Sequence, residues 1–233
     1  MLNSEFGIKD ITENPKSIFY VLNPQEKKEM QDHISLYHYR RNEYIYKEGD
    51  KPAGFVMLVD GKVKIYKDGV GGREQIIRLA KPLGIIGYRA LLGNELHQTS
   101  ALTIEESLVC TVSHEFIVNR ALRNSDFSLQ VVNKLSVELG FAYSRIVSLT
   151  QKHIRGRLAE ALMLLRDKYG VESDGVTLKV FLSREDIASL SNMTSSNAIR
   201  TLSTFANEKV ITIDGRKIKI LDPYRLDRVS KHG

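Results

Sequence analysis

The chain has 233 residues, with 34 Lys+Arg against 28 Asp+Glu for a net charge of +6, 42% hydrophobic residues, five prolines and one cysteine. That length suits one large or two small domains with cores of their own, so a disulfide-stapled secreted scaffold is excluded. A lone thiol also excludes an iron–sulfur cluster and a cysteine-rich zinc site. The first twenty residues carry Glu5, Asp10, Glu13 and Lys16 and do not read as a signal peptide. No segment approaches the ~18 consecutive apolar residues of a membrane span, so the expectation is a cytoplasmic protein with no membrane partner. The charge excess permits a nucleic-acid partner without requiring one.

In chain order, residues 24–36 are charged and weakly amphipathic, which predicts a short helix. From about residue 37 to 115 the pattern is short β-rich runs separated by turn residues such as Glu48-Gly49-Asp50 and Asp60-Gly61. Residues 62–67, Lys-Val-Lys-Ile-Tyr-Lys, alternate strictly, and Asp-Gly between two such runs predicts a hairpin, so this part is an antiparallel barrel or roll. Residues 125–152 turn helical and lack proline; Val132, Leu135, Leu139, Ala142, Ile146 and Leu149 recur at spacings of three and four, a seam suited to a coiled-coil partner. Gly140 in its middle weakens the helix unless something approaches the backbone there.

After His153 a helix over 154–169 is followed by a strand-like run at 176–181, a helix at 183–190, a break, a helix at 194–207, and a hairpin of 210–213 with 217–221 around Asp214-Gly215. This is the order of a winged helix-turn-helix. Ser183-Arg184-Glu185-Asp186 has the form of a capping box, and Thr194 can cap the next helix. Only Ser191, Asn192 and Met193 separate the two helices, which forces a steep crossing, with Asn192 suited to a left-handed backbone and Ala188 small enough for the crossing. With Ala198, Leu202 and Phe205 inward, Ser195, Ser196, Asn197 and Arg200 lie outward near the start of the second helix, types that contact bases and phosphates. From His153 on, 14 Lys+Arg face 10 Asp+Glu, against 20 and 18 before it, and Lys152, Arg155, Arg157, Arg184, Arg216, Lys217 and Lys219 are candidate phosphate contacts.

Taken together, residues 15–225 resemble the cyclic-AMP receptor/FNR superfamily of bacterial transcription regulators. The resemblance is carried by Gly49, by Gly61 within Val59-Asp60-Gly61-Lys62-Val63, by Gly87 in residues 83–92, by Arg155-Gly156-Arg157-Leu158-Ala159, and by the 182–188 start of the helix-turn-helix. It implies an α+β protein: a β-roll sensor of the cyclic-nucleotide-binding, double-stranded β-helix kind (1–124), a dimerisation helix (125–152) and a winged helix-turn-helix (153–233). It further implies a non-enzymatic homodimer that binds a two-fold site on double-stranded DNA and acts with RNA polymerase.

The departures bear on the effector. Cyclic-nucleotide-binding members carry a Glu after the glycine and, about ten residues on, an Arg before Ser or Thr; here those places hold Gly87-Tyr88 and Gln98-Thr99. The polar residue that the long helix offers to the base appears as Ala142, with Tyr143 beside it. Cyclic AMP is therefore expected to bind weakly, with Arg89 as a displaced candidate cation. Cys110 reads as a buried structural thiol, which removes the iron–sulfur branch. His97, the one histidine placed for haem, reads as a surface residue, and no metal site is expected. The effector is then a small apolar or anionic molecule between the roll and Tyr143, or there is none. In the family Ser196 is often Glu, so the operator is expected to differ while Arg200 keeps a guanine contact. The alternative is a small-molecule-binding roll whose helix-turn-helix serves protein contacts.

Overall fold

The computed structural model describes residues 8–232. These divide into two compact units, one made of the described residues up to Lys67 with Ile77–Leu139, the other of Asp68–Ile76 with those from Gly140 onward.

The first unit opens with α1 (Ile8–Thr12) and α2 (Pro24–Met30), the latter started by a capping box between Asn23 and Glu26. The expected helix over 24–36 is shorter than its charge pattern implied. Residues 31–33 make a single tight turn, and from Ile34 the chain already pairs in a sheet, with Ile34 opposite Val112. Eight strands follow: β1 (Ile34–Tyr39), β2 (Tyr44–Tyr46), β3 (Gly54–Asp60), β4 (Val63–Asp68), β5 (Glu74–Ala80), β6 (Ile85–Ile86), β7 (Ser100–Thr103) and β8 (Ser107–Ser113). They form two four-stranded sheets, β1-β8-β3-β6 and β2-β7-β4-β5. Short helices α3 (Tyr88–Leu92) and α4 (His114–Asn119) interrupt and close the roll, and α5 (Ser125–Gln151) is one unbroken helix.

The period of two along a strand divides the core. On β3, Phe55, Met57 and Val59 join Phe19, Tyr88, Phe116 and Phe127 in one cluster, whereas Val56 and Leu58 join Val63, Ile65, Ile86 and Val109 in another. Gly61, at the turn into β4, has φ +94° and lies so close to Ser107 and Glu106 that a Cβ there would meet Ser107 Oγ at 2.3 Å.

The second unit carries α6 (Ile154–Tyr169), α7 (Arg184–Leu190), α8 (Ser195–Asn207), the hairpin β9 (Ile211–Asp214) with β10 (Lys217–Ile220), and α9 (Pro223–His232). The strand expected at 176–181 is reduced to isolated bridges, Thr177 with Lys219 and Leu178 with Val171. The amides of Val176 and Thr177 donate to the Asp174 carboxylate at 3.0 and 2.8 Å, while Val176 O and the Leu178 amide still bond to Ile220 and Ile218 of β10 at 2.9 and 3.0 Å. Both helix starts in the helix-turn-helix are capped. Ser183 Oγ accepts from the Asp186 amide at 3.0 Å while the Asp186 carboxylate accepts from the Ser183 amide at 3.3 Å, and Thr194 Oγ1 accepts from the Asn197 amide at 3.3 Å. Ser183→Ala is expected to cost about 1 kcal/mol, read as a lower denaturant midpoint at unchanged m-value.

Candidate functional site

Between α7 and α8 the chain turns on Asn192, a non-glycine residue at φ +50°, with the Met193 amide bonded to Ala188 O at 3.0 Å across the crossing. Ala188, Ala198, Leu202 and Phe205 are all buried, which fixes the rotation of α8 about its axis. That rotation leaves Ser196, Ile199, Arg200 and Ser203 exposed on one face, with Thr194 exposed and Ser195 and Asn197 half-exposed at its N-terminal end. The first-turn amides of α8 add donors at that end for an anion.

The basic candidates separate by what they already hold. Arg184 donates to Gly215 O at 2.7 Å and so ties α7 to the turn of the hairpin. Arg155 pairs with Glu208 at 2.5 Å and lies over the Phe205 ring at 4.7 Å, fastening the end of α8 to α6. Arg157 donates to Leu149 O at 3.0 Å, Lys152 meets Glu160 at 3.2 Å, and Lys219 meets Asp174 at 3.9 Å. Among the described residues, the side chains of Arg200, Arg216 and Lys217 have no such partner, and all three are exposed, the last two at the hairpin tip.

Features that spacing did not reveal complete this unit. Ser189 donates to Glu74 O at 3.0 Å and accepts from the Ile76 amide at 2.9 Å, while Gln75 Nε2 donates to Ser189 O at 2.6 Å and Arg73 donates to the Asn192 side chain. Helix α9 was unforeseen, although Asp222-Pro223 carries its signal: Asp222 Oδ1 caps the Arg225 amide at 2.8 Å, with proline at the first helical position.

On α5, four of the seam residues are well exposed in the single chain: Val132 at 56%, Leu135 at 37%, Leu139 at 51% and Ile146 at 60%. Ala142 is exposed and Leu149 half-exposed on the same stripe. A Cβ at Gly140 would meet nothing within 4 Å among the described residues, so its side of the helix stands open in the single chain.

In the roll, Gly87 has φ +68° and its missing Cβ would stand 2.8 Å from the His97 ring, which stacks on Tyr46 with centroids 3.8 Å apart. His97 is thus a buried residue, contrary to the surface position expected for a lone histidine, and burial holds its imidazole pKa below the ordinary value. Tyr88 is buried against Phe55, and burial followed by the Glu138 carboxylate holds its phenol well above the usual range. Arg78 pairs with Glu138 of α5 and donates to Ile85 O at 2.7 Å. Arg89 and Gln98 both donate to Glu95, at 2.9 and 3.1 Å, so an internal carboxylate already takes the displaced candidate cation and one further candidate effector contact. Thr99 stands beside the Tyr46 hydroxyl, and Tyr143 is exposed.

Cys110 is fully buried in β8, and burial pushes its thiol from 9.0 up to about 12. The folded protein is expected to resist alkylation at pH 8 and to react once unfolded. Because the unfolded thiol ionises first as pH rises, this group's contribution to stability falls between about pH 9 and 12, measurable as a declining midpoint. Among the described residues no group of three or more His, Cys, Asp or Glu could hold a metal ion, and no helix is long and apolar enough to cross a membrane.

A β-roll followed by a long helix and a winged helix-turn-helix with an outward polar face on its second helix defines a DNA-binding transcription regulator. Family comparison agrees: residues 36–124 match the cyclic nucleotide-binding domain and residues 156–229 the Crp-like helix-turn-helix domain. The CRP-like cAMP-activated global transcriptional regulator of Mycobacterium tuberculosis is 24% identical over 193 residues, 82% of this chain and 86% of that one. The transcriptional activatory protein AadR of Rhodopseudomonas palustris is 28% identical over 218 residues, covering 90% and 87%. The structure of FixK2 from Bradyrhizobium japonicum superposes with a TM-score of 0.75 at 25% identity, covering 84% of this chain and 96% of that one. The chain belongs to the CRP/FNR superfamily of transcription regulators, whose relatives are regulators and not enzymes.

Proposed function

We propose that the chain acts in the cytoplasm as a homodimer paired along the α5 stripe, that α8 and the hairpin tip of each protomer read one half of a two-fold operator, and that the input is not cyclic AMP. The observation that carries this reading is the coincidence of an unpartnered apolar stripe with three uncommitted cations on one DNA-type module. Residues 1–124 would sense, 125–152 pair, and 153–233 bind DNA, with RNA polymerase as the downstream partner. The sensor region supports the exclusion of cyclic AMP. Tyr88 fills the core where a ribose-binding carboxylate would project, and Glu95 occupies Arg89 and Gln98, although that pair is exposed and contributes little to stability.

The test is selection of duplex sequences by the full-length protein, followed by binding at several salt concentrations with and without cyclic AMP. A two-fold consensus, a steep fall of affinity with salt, and no more than about a twofold effect of cyclic AMP are expected. A flat salt dependence would assign the helix-turn-helix to protein contacts instead. A cyclic-AMP response of tenfold or more would restore the nucleotide as the input.

A further inference from the structure

Helix α5 contributes to both units, and its residues from Gly140 onward belong to the one that carries the helix-turn-helix. This end of the helix has two faces. Ile146 continues the exposed stripe, whereas Phe141, Arg145, Ser148 and Lys152 recur at spacings of four, three and four. About 100° of rotation per residue places that second row on the other side of the helix. Arg145 and Ser148 are buried there, at 7% and 6% exposure, and Phe141 and Lys152 are half-buried.

The two buried side chains reach different helices. Arg145 donates to Leu190 O, one of the last carbonyls of α7, which a helix leaves without an internal partner. Ser148 donates to Glu160 of α6 at 2.9 Å, and Arg157 of α6 returns a bond to Leu149 O at 3.0 Å. A guanidinium is a costly filler for such a place. Burial lowers its pKa against the opposing pull of Glu160, and its Nη1 has no hydrogen-bond partner among the described residues. Apolar side chains of similar volume often replace buried charges without loss of stability, and here Glu160 would keep Ser148 and Lys152, so no charge would be stranded. What an apolar side chain cannot supply is a directed bond from α5 to the backbone just ahead of the Asn192 turn, from which α8 departs.

We propose that Arg145, with Ser148 beside it, is a positioning residue that fixes the angle of the helix-turn-helix on the end of α5 and thereby sets the spacing of the two half-sites that a dimer accepts. This rests on the regulator reading, in which the exposed stripe pairs two copies of α5. Ile146 of that stripe adjoins Arg145 in one unbroken helix, so the pairing surface and the joint to α7 turn together. The separation and relative rotation of the two copies of α8 then follow from the angle at the joint. One base pair added between half-sites moves them apart and turns one against the other by roughly 35° about the duplex axis. A stiff joint discriminates between such spacings, and a loose one does not.

The test measures the affinity of full-length wild type, Arg145→Met and Ser148→Ala for three duplexes: the selected two-fold operator, and the same operator with one base pair inserted or removed at its centre. Wild type is expected to prefer the selected spacing by about tenfold or more. Arg145→Met should bring the three affinities within about threefold of one another, while the bases selected within each half-site stay as in wild type, because α8 keeps its side chains. Ser148→Ala removes only a hydroxyl and should narrow the preference by about twofold or more. A side chain that served stability alone would lower all three affinities by one factor and leave their ratios intact. Intact ratios in Arg145→Met, or in Ser148→Ala should the first variant not fold, would overturn the assignment. A wild type that selects a two-fold operator but tolerates all three spacings overturns it as well, whereas a wild type that selects no two-fold operator overturns the regulator reading along with it.

Discussion

Aspartate placed at both Leu139 and Ile146 is expected to give a folded protein that sediments as a monomer and no longer binds a two-fold operator. Both side chains are more than half exposed in the single chain, so the substitutions remove little from its own core. With about half of each side chain left to bury, each leucine or isoleucine in a paired seam would add ~0.8–1.8 kcal/mol. Two positions on two helices forfeit roughly 3–7 kcal/mol, and the four carboxylates that would meet in an apolar seam add a desolvation cost of several kcal/mol more. Dimer dissociation should rise by about 10⁴-fold or more, well outside what sedimentation at micromolar concentration can miss. A double variant that still sediments as a dimer would place the pairing surface elsewhere.

Arg200→Ala is expected to weaken operator binding by roughly 30-fold to 10⁴-fold, as ~1–3 kcal/mol is lost at each of two half-sites. The loss should be confined to sequences carrying the preferred base at one position, so that the selected consensus relaxes there and nowhere else. Arg216→Ala and Lys217→Ala should behave differently. These residues sit at the hairpin tip, and their removal should weaken all duplexes alike while lowering the salt slope by about one for each phosphate no longer neutralised. Arg184→Ala separates the two kinds of role. Its guanidinium is bonded to Gly215 O, so its effect should appear in the stability and placement of the hairpin as well as in affinity.

The parts legible in the sequence are those that local chemistry determines. The capping box at Ser183, the cap at Thr194 and the left-handed Asn192 need only near neighbours, and each stands as its residue type implied. The α5 seam was legible because an exposed stripe has the same period whether or not a partner is present. What could not be read is which charges are already spent. Nothing about Arg155, Arg184 or Lys219 distinguishes them in sequence from Arg200 or Lys217, since their partners Glu208, Gly215 and Asp174 lie 31 to 53 residues away in the chain. His97 was misplaced for a related reason: its burial depends on Tyr46 from another strand and on the missing Cβ of Gly87. The run at 176–181 looks like a strand by composition, but the Asp174 carboxylate takes the Val176 and Thr177 amides, and only a few backbone bonds, such as the Leu178 amide to Ile218 O at 3.0 Å, join the run to β10.

Helix α5, 27 residues without a break, also has a mechanical consequence. At 1.5 Å per residue it is a rod of ~40 Å, and a tilt of only ~5° pivoting at one end carries the other by ~3.5 Å. That displacement is close to the ~3.4 Å rise per base pair along the axis of duplex DNA. For the proposed regulator, an input to the roll would then have no need to reshape anything: a change of packing too small to notice at Phe127 would move the end of this helix at Gln151 by the rise of one base pair.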